Sequence, residues 1–412
     1  MKKLFKRDFT MVVIGQIISL FGNAILRFAL PLYLLRETES SALFGAVTAC
    51  SFIPMVIFSF LGGVIADRKN KRDIMVILDF STAAVIMAFG FALGKLSLVP
   101  LMIAVLMILY GISGIYQPTV QASIPLLTEE ETLMLGNAVI NSIGTLAGLA
   151  GPIIGGILFG AFGIRPIMLI SAVCFIFSAI MEIFIHIPYT KNPYEKSVFS
   201  IVAADLTESI DFVKNKRPIF LSVLGIIALF NLVLSAAMIV GIPIMIVQVL
   251  EMSDAALGIV QGAMGLGGLA GGILAGAASE KLKIKNGYLN LAACSLAAFI
   301  MGISIFGAIP QSVGYIMITG ASFGAMCAST MFSVSTLTAI QRNTPAHLLG
   351  KIMAVIIAVS SCSQPIGQAA YGILFDIFAD KPYVVMFAAA VAAMYISMRS
   401  KKFFAELEKT LS

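Results

Sequence analysis

Three ionisable side chains, Arg27, Asp79 and Glu182, stand inside long apolar stretches. A charge held in hydrocarbon is expensive, about 2.5–3.5 kcal/mol or more for an Arg at mid-bilayer, so such residues are kept for pairing or for function. Asn23 precedes Arg27 by one helical turn and shares its face. Together they offer donors to an anionic or carbonyl-bearing group; the structural alternative is an Arg satisfied by carbonyls or a nearby acid. Asp79 and Glu182 each lie roughly two turns from the end of their stretch. They read either as structural pairs near the headgroups or as a proton site, which requires surroundings that penalise the charged carboxylate. His186 and His347 fall at stretch edges and carry no role in this reading. No nucleophile–base pair stands out, and no spacing matches a metal site or a phosphate loop. The chemistry indicated is binding and proton exchange, with no enzyme activity, cofactor or metal expected.

Other polar residues extend this set of binding candidates. Tyr110, Gln117 and Gln121 share one helical stripe, as do Asn231 with Ser235 and Ser329 with Ser333. Around them are Phe, Met, Leu and Ile. Few charges among many apolar contacts suit a bulky amphipathic solute better than a sugar. Met, present 22 times, adapts to varied shapes.

The elements that must position these residues follow from composition. Hydrophobic residues are 59% of the 412 and charged residues 12%, where a soluble globule is about a quarter charged. Lipid must therefore be the solvent. A bilayer core needs about 20 apolar residues per helix, and there are roughly twelve such stretches. The run Phe9–Leu35 is too long for a cleaved signal peptide and reads as a retained first span. With both termini in the cytoplasm, about 22 of the 27 Lys and Arg fall on the cytoplasmic side, as the positive-inside bias demands. Arg36, Lys95, Arg165 and Lys381 fall outside. The net charge of +6 thus reports topology, not nucleic-acid binding. The five cysteines all lie in apolar stretches and read as small buried hydrophobes.

The chain also repeats itself. Pro31 pairs with Pro243, Gly45 with Gly258, the Gly63, Asp67 and Arg68 set with Gly276, Glu280 and Lys281, and Leu135-Gly136 with Leu349-Gly350. Four matches at one common offset predict parallel six-span repeats. The fold class expected is an all-α membrane protein of 12 transmembrane helices in two pseudo-symmetric six-helix bundles. The expected domains are 1–187, a linker 188–217, and 218–412 with a short cytoplasmic tail. In the linker, Ile201–Lys216 reads as an amphipathic surface helix. Glycines four apart, in Gly148–Gly156 and Gly262–Gly276, let helices touch backbone to backbone in lipid. Pro152 should bend its helix.

Gly63-x-x-Ala66-Asp67-Arg68-x-x-Lys71-Arg72 resembles motif A of the major facilitator superfamily. Gly151-Pro152-x-x-Gly155-Gly156 is similar to motif C of its drug-efflux members. Pro118, Ala122, Ile124-Pro125 and Leu135-Gly136-Asn137-Ala138 look like the twelve-span macrolide-efflux and siderophore-exporter branch. Two departures stand out: Asn70 replaces the usual Gly of motif A, and span four lacks the Arg of motif B, which puts the usual proton-coupling scheme in doubt. The resemblance implies a bacterial inner-membrane, monomeric antiporter that exports amphipathic small molecules by alternating access, driven by protons. It also implies that Asp67 latches to the start of span eleven and pairs with Lys351, with Glu280 as the weaker mirror position. A lysophospholipid translocator, an importer of a small solute, and a transport-silent receptor or scaffold remain as alternatives.

Overall fold

The structure is a computed structural model that describes residues 6–129, 132–188, 219–277, 284–342, 344 and 346–411. The linker helix expected at Ile201–Lys216 lies outside these residues, as does Glu280. No strand occurs among the described residues. Lipid offers the backbone no hydrogen-bond partner, so each crossing segment must satisfy its own amides, and the helix does this. Side-chain hydroxyls follow the same rule: Thr48 donates to Phe44 O at 2.6 Å and Ser81 to Ile77 O at 2.7 Å.

Among the described residues the chain forms twelve long helices. They are α1 (Arg7–Thr38), α2 (Ser41–Arg68), α3 (Lys71–Ala92), α4 (Leu98–Leu127), α5 (Leu133–Phe162) and α6 (Ile164–Ile183), then α7 (Ile219–Val249), α8 (Asp254–Ala277), α9 (Gly287–Ser304), α10 (Gln311–Arg342), α11 (Ala346–Ile377) and α12 (Pro382–Leu411). Eleven are long and apolar enough to cross a membrane by length and composition; the remaining one, α11, has 32 residues. The chain expected as a tail after Met398 continues α12 to Leu411, and Glu408 there accepts from Lys285 N at 2.9 Å.

Contacts divide the chain into two units, Met1–Glu39 with Cys50–Val198, and Ser40–Ala49 with Phe199–Ser412. Each unit repeats the other's pairings. In the first, α1 packs on α5, and α3 on α4 and α6; in the second, α7 packs on α11, and α9 on α10 and α12. The matched residues fall at matched places. Pro31 and Pro243 lie at the same depth in α1 and α7, and Gly45 and Gly258 lie one turn into α2 and α8. One difference separates the repeats: α7 is interrupted by π-helical turns at Asn231–Ser235 and Met245–Val249, whereas α1 is α-helical throughout.

Glycine sets the closest approaches. A Cβ on Gly151 would stand 2.4 Å from Ala24 Cβ, and one on Gly155 3.1 Å from Phe28, so α5 rests on α1 at its motif C turns. Gly156 is buried beside them, and α5 runs on through Pro152. In the second unit a Cβ on Gly267 or Gly271 would meet the carbonyl oxygen of Phe323 or Cys327 at 2.2 and 2.3 Å, so α8 meets α10 backbone to backbone. The five cysteines are free thiols, but the expectation that all are buried holds only for Cys294: Cys50, Cys174 and Cys327 are half-buried and Cys362 is exposed, on helix faces turned away from the packed interior.

Candidate functional site

The first unit holds an open cavity of about 440 Å³ between α1, α2, α4 and α5. This is the size at which pockets hold small molecules. Its wall carries Asn23 and Arg27 from α1, Met55 and Ser59 from α2, Ser113, Gln117 and Gln121 from α4, and Gly144 and Gly148 from α5. The glycine run of α5 therefore has two uses. Gly151 and Gly155 admit α1, while a Cβ on Gly144 or Gly148 would meet nothing within 4 Å. Those two glycines keep the cavity open.

Arg27 sits where the sequence places it, on the cavity wall beside Asn23. Its guanidinium carbon lies 4.2 Å from the centroid of the Tyr110 ring, and its Nη2 points at Met55 Sδ, 3.9 Å away. Tyr110 is itself buried, edge-on to Phe52 with centroids 5.3 Å apart. Expected on the wall, Tyr110 instead lies beneath Arg27 as its platform. The reason is geometric: a cation needs a ring face when no acid is at hand, and the contact is worth about 0.5–2 kcal/mol. No carboxylate lies within 4 Å of Arg27 among the described residues, and its Nε has no acceptor. Much of the charge is thus left for a solute or water in the cavity. Asn23 donates to Ser113 Oγ at 3.0 Å, tying α1 to α4.

A second polar cluster lies deeper in the same unit. Gln16 Nε2 donates to Tyr116 Oη at 2.7 Å, and Tyr116 Oη donates to Glu182 Oε1 at 2.7 Å. Ser19 Oγ is 3.4 Å from the same hydroxyl. Glu182 is 0% exposed and Asp79 2%. The two acids are near enough to act on each other and on Tyr116, and Ser178 borders both. Gly15 borders the cluster: a Cβ there would stand in ordinary contact, 3.4 Å from Ser178 Oγ and 3.8 Å from Glu182 Cγ. Glu182 Oε2, Asp79 Oδ2 and Gln16 Oε1 have no hydrogen-bond partner among the described residues. An unmatched buried carboxylate is costly unless it carries a proton or meets an ordered water.

This arrangement places Asp79 as expected along its helix and moves Glu182 to the end of its own. Asp79 lies two turns into α3, but Glu182 is the penultimate residue of α6. Past α6 the chain is not helical, and Ile185 and Ile187 turn into the core with Phe9, Met75 and Tyr116. Glu182 is thus buried within the unit although it ends its helix, and Asp79 is buried with it.

The two sites share a wall. An enclosed space of about 20 Å³, enough for about one water, is lined by Asp79, Tyr116, Ser19 and Thr82 together with Asn23, Ser113 and Gln117. The last three also line the large cavity. Sequence reading missed Gln16, Ser19, Tyr116 and Ser59. The signal was present: Gln16, Ser19 and Asn23 form a polar stripe on α1, and Tyr116 adjoins Gln117.

In the second unit the candidates are Asn231, Ser235, Ser329 and Ser333. Asn231 Nδ2 is spent on Ile227 O at 3.0 Å within its own helix. Ser235 and Ser329 are half-buried and Ser333 is exposed. No hydrogen bond among the described residues joins them. Of motif A, Gly63 and Arg68 lie in the last turns of α2, and Lys71 and Arg72 open α3. Asn70, the departure from the usual Gly, is the N-cap of α3: its Oδ1 accepts from Arg72 N at 3.0 Å. Arg72 pairs with Asp73 at 2.7 Å. The side chains of Asp67 and Lys351 lie outside the described residues.

The chain is similar to known proteins. Macrolide efflux protein A of Streptococcus pyogenes is 23% identical over 381 residues, covering 92% of this chain and 90% of its own. The Staphyloferrin A transporter of Staphylococcus aureus is 21% identical, covering 87% of each chain. Enterobactin exporter EntS of Citrobacter koseri is 25% identical, covering 88% and 84%. The nucleoside transporter NupG shares the fold, with a TM-score of 0.78 at 13% identity over 98% of this chain and 99% of its own. The Major Facilitator Superfamily model matches residues 12–368. The chain is a multi-pass membrane transporter, and it belongs to the Major Facilitator Superfamily.

Proposed function

We propose that the protein exports amphipathic small molecules from the bacterial cytoplasm in exchange for protons. It works by alternating access as a monomer in the inner membrane, with both termini cytoplasmic. The observation that carries this reading is Arg27, a cation without an acid partner on the wall of a largely apolar cavity. Such a wall suits a molecule with a broad apolar body and one strong acceptor, a carbonyl or an anion. The named relatives, a macrolide efflux protein and two siderophore carriers, agree with export of such solutes.

Asp79 and Glu182 are the proton site in this proposal. Their link to the cavity is the shared set Asn23, Ser113 and Gln117. The sign of the electrostatics constrains the substrate. Protonating the pair removes negative charge and so strengthens the pull of Arg27 on an anion, which opposes exchange. A neutral carbonyl acceptor escapes most of this conflict. Exchange then rests on the Asn23–Ser113 hydrogen bond and its neighbours adjusting to whichever site is filled. At the cytoplasmic end, Asp67 acts as the latch to the first turn of α11 and to Lys351, with Glu280 as its weaker counterpart. The proposed halves are residues 1–187 and 218–412.

The test is accumulation of macrolides, dyes, siderophores and lysolipids in cells with and without the protein, repeated with a protonophore. Lower accumulation of an amphipathic compound, abolished by the protonophore and by Arg27→Ala, supports the proposal. Unchanged accumulation across the panel, or export indifferent to the protonophore, overturns it.

A further inference from the structure

The positive-inside bias leaves four cations expected on the outer side: Arg36, Lys95, Arg165 and Lys381. Two of them meet. Lys95, in the turn after α3, and Arg165, in the first turn of α6, line one open groove of about 430 Å³ in the first unit. The rest of its lining is apolar and comes from the outer end of α3, including Met87 and Phe91, and from α6, including Met168 and Leu169. Phe91 is 75% exposed and Leu169 67%. In a chain that crosses a bilayer, this surface faces lipid. Gly90 keeps its floor low, since the nearest atom to a Cβ there is Met168 Cε at 3.8 Å.

Neither cation has a carboxylate within 4 Å among the described residues. Arg165 is also placed against the dipole of its own helix, because the first turn of a helix favours anions. An arrangement that is unfavourable twice over, by topology and by dipole, becomes favourable when an anion sits there. The apolar floor says what kind of anion. A free phosphate or carboxylate has no use for it, whereas an acyl chain does.

We propose that this groove binds an anionic phospholipid of the outer leaflet, with the phosphate between Lys95 and Arg165 and an acyl chain along α3 and α6. A zwitterionic lipid fits less well, since its ammonium would face the two cations. The site is separate from the transport cavity, so the proposal stands independently of the substrate.

The chain contains no Trp, which makes a single introduced Trp a clean reporter. The full-length protein carrying Phe91→Trp is reconstituted in phosphatidylcholine vesicles containing phosphatidylglycerol, with one or the other lipid brominated to quench nearby fluorescence. Quenching should report a preference for phosphatidylglycerol of about fivefold per cation. Ile316→Trp, 67% exposed near the start of α10, is the control on another lipid-facing surface and should report a ratio near one. Adding K95Q and R165Q to the Phe91 reporter should bring its ratio down to the control's. Equal ratios at the two reporters with Lys95 and Arg165 intact would overturn the proposal without relying on the charge variants folding. Persistence of the preference in the K95Q/R165Q protein would overturn it as well.

Discussion

The two units share a scaffold and differ in chemistry. Pro31 and Pro243, and Gly45 and Gly258, keep matching positions, and the helix pairings repeat. Yet Arg27, Asp79 and Glu182 all belong to the first unit. The corresponding helix of the second, α7, offers Asn231 bound to its own backbone and two π turns. A duplicated fold needs its packing residues twice, because each bundle must hold itself together in lipid. It needs a charge only once, since every buried charge is costly. Substitutions in the scaffold should therefore damage both units alike, and substitutions in the chemistry should be one-sided.

The largest effects test the first half of that statement. Gly151→Leu drives a side chain into Ala24, and Gly271→Leu into the backbone at Cys327. Each should cost about 1–3 kcal/mol or more and sharply reduce the yield of monodisperse protein in fluorescence-detected size exclusion. Survival of one but not the other would show that the units do not share this packing device.

Arg27→Ala comes next. It should weaken substrate binding about tenfold or more, the scale of one charge-assisted hydrogen bond lost, in a direct titration of the purified protein. Asn231→Ala should change the same affinity less than about twofold, since surface-like substitutions away from a site have small effects. A large effect at Asn231 would move part of the site into the second unit.

Gly148→Leu sharpens the comparison within one helix. It lies one turn from Gly151, yet a Cβ there meets nothing within 4 Å. The protein should fold normally and lose several-fold in affinity, because the new side chain fills cavity rather than displacing α1. If Gly148→Leu and Gly151→Leu behave alike, the cavity is misplaced. The smallest effect is expected from Tyr116→Phe. It keeps the ring in the core but removes the hydroxyl joining Gln16 to Glu182, so proton-coupled transport should slow while substrate affinity stays within about twofold.

The sequence makes the scaffold legible because lipid imposes simple rules. Apolar length marks the helices, glycine spacing marks the close contacts, and a shared offset marks the duplication. Arg27, Asn23, Gln117 and Gln121 are also legible, since a polar residue in an apolar helix has few places to go. What escapes depends on which helices meet. Tyr116 reads as an ordinary aromatic until α6 brings Glu182 within 2.7 Å of its hydroxyl. Tyr110 looks polar and is in fact the ring beneath a cation. Glu182 reads as a residue well inside a span, whereas α6 ends one residue after it and Ile185 and Ile187 join the core beyond. The substitution of Asn for Gly at position 70 departs from the family pattern but makes local sense as a helix cap.

The central claim is that the buried acids exchange protons against a solute in the adjoining cavity. It is tested most directly in proteoliposomes with a trapped pH dye, by adding a macrolide and then a siderophore to the cytoplasmic face under an imposed proton gradient. The account predicts substrate-dependent proton movement in the wild type and none above background in the D79N/E182Q protein, with substrate binding retained. Undiminished substrate-driven proton movement in that double variant would contradict it.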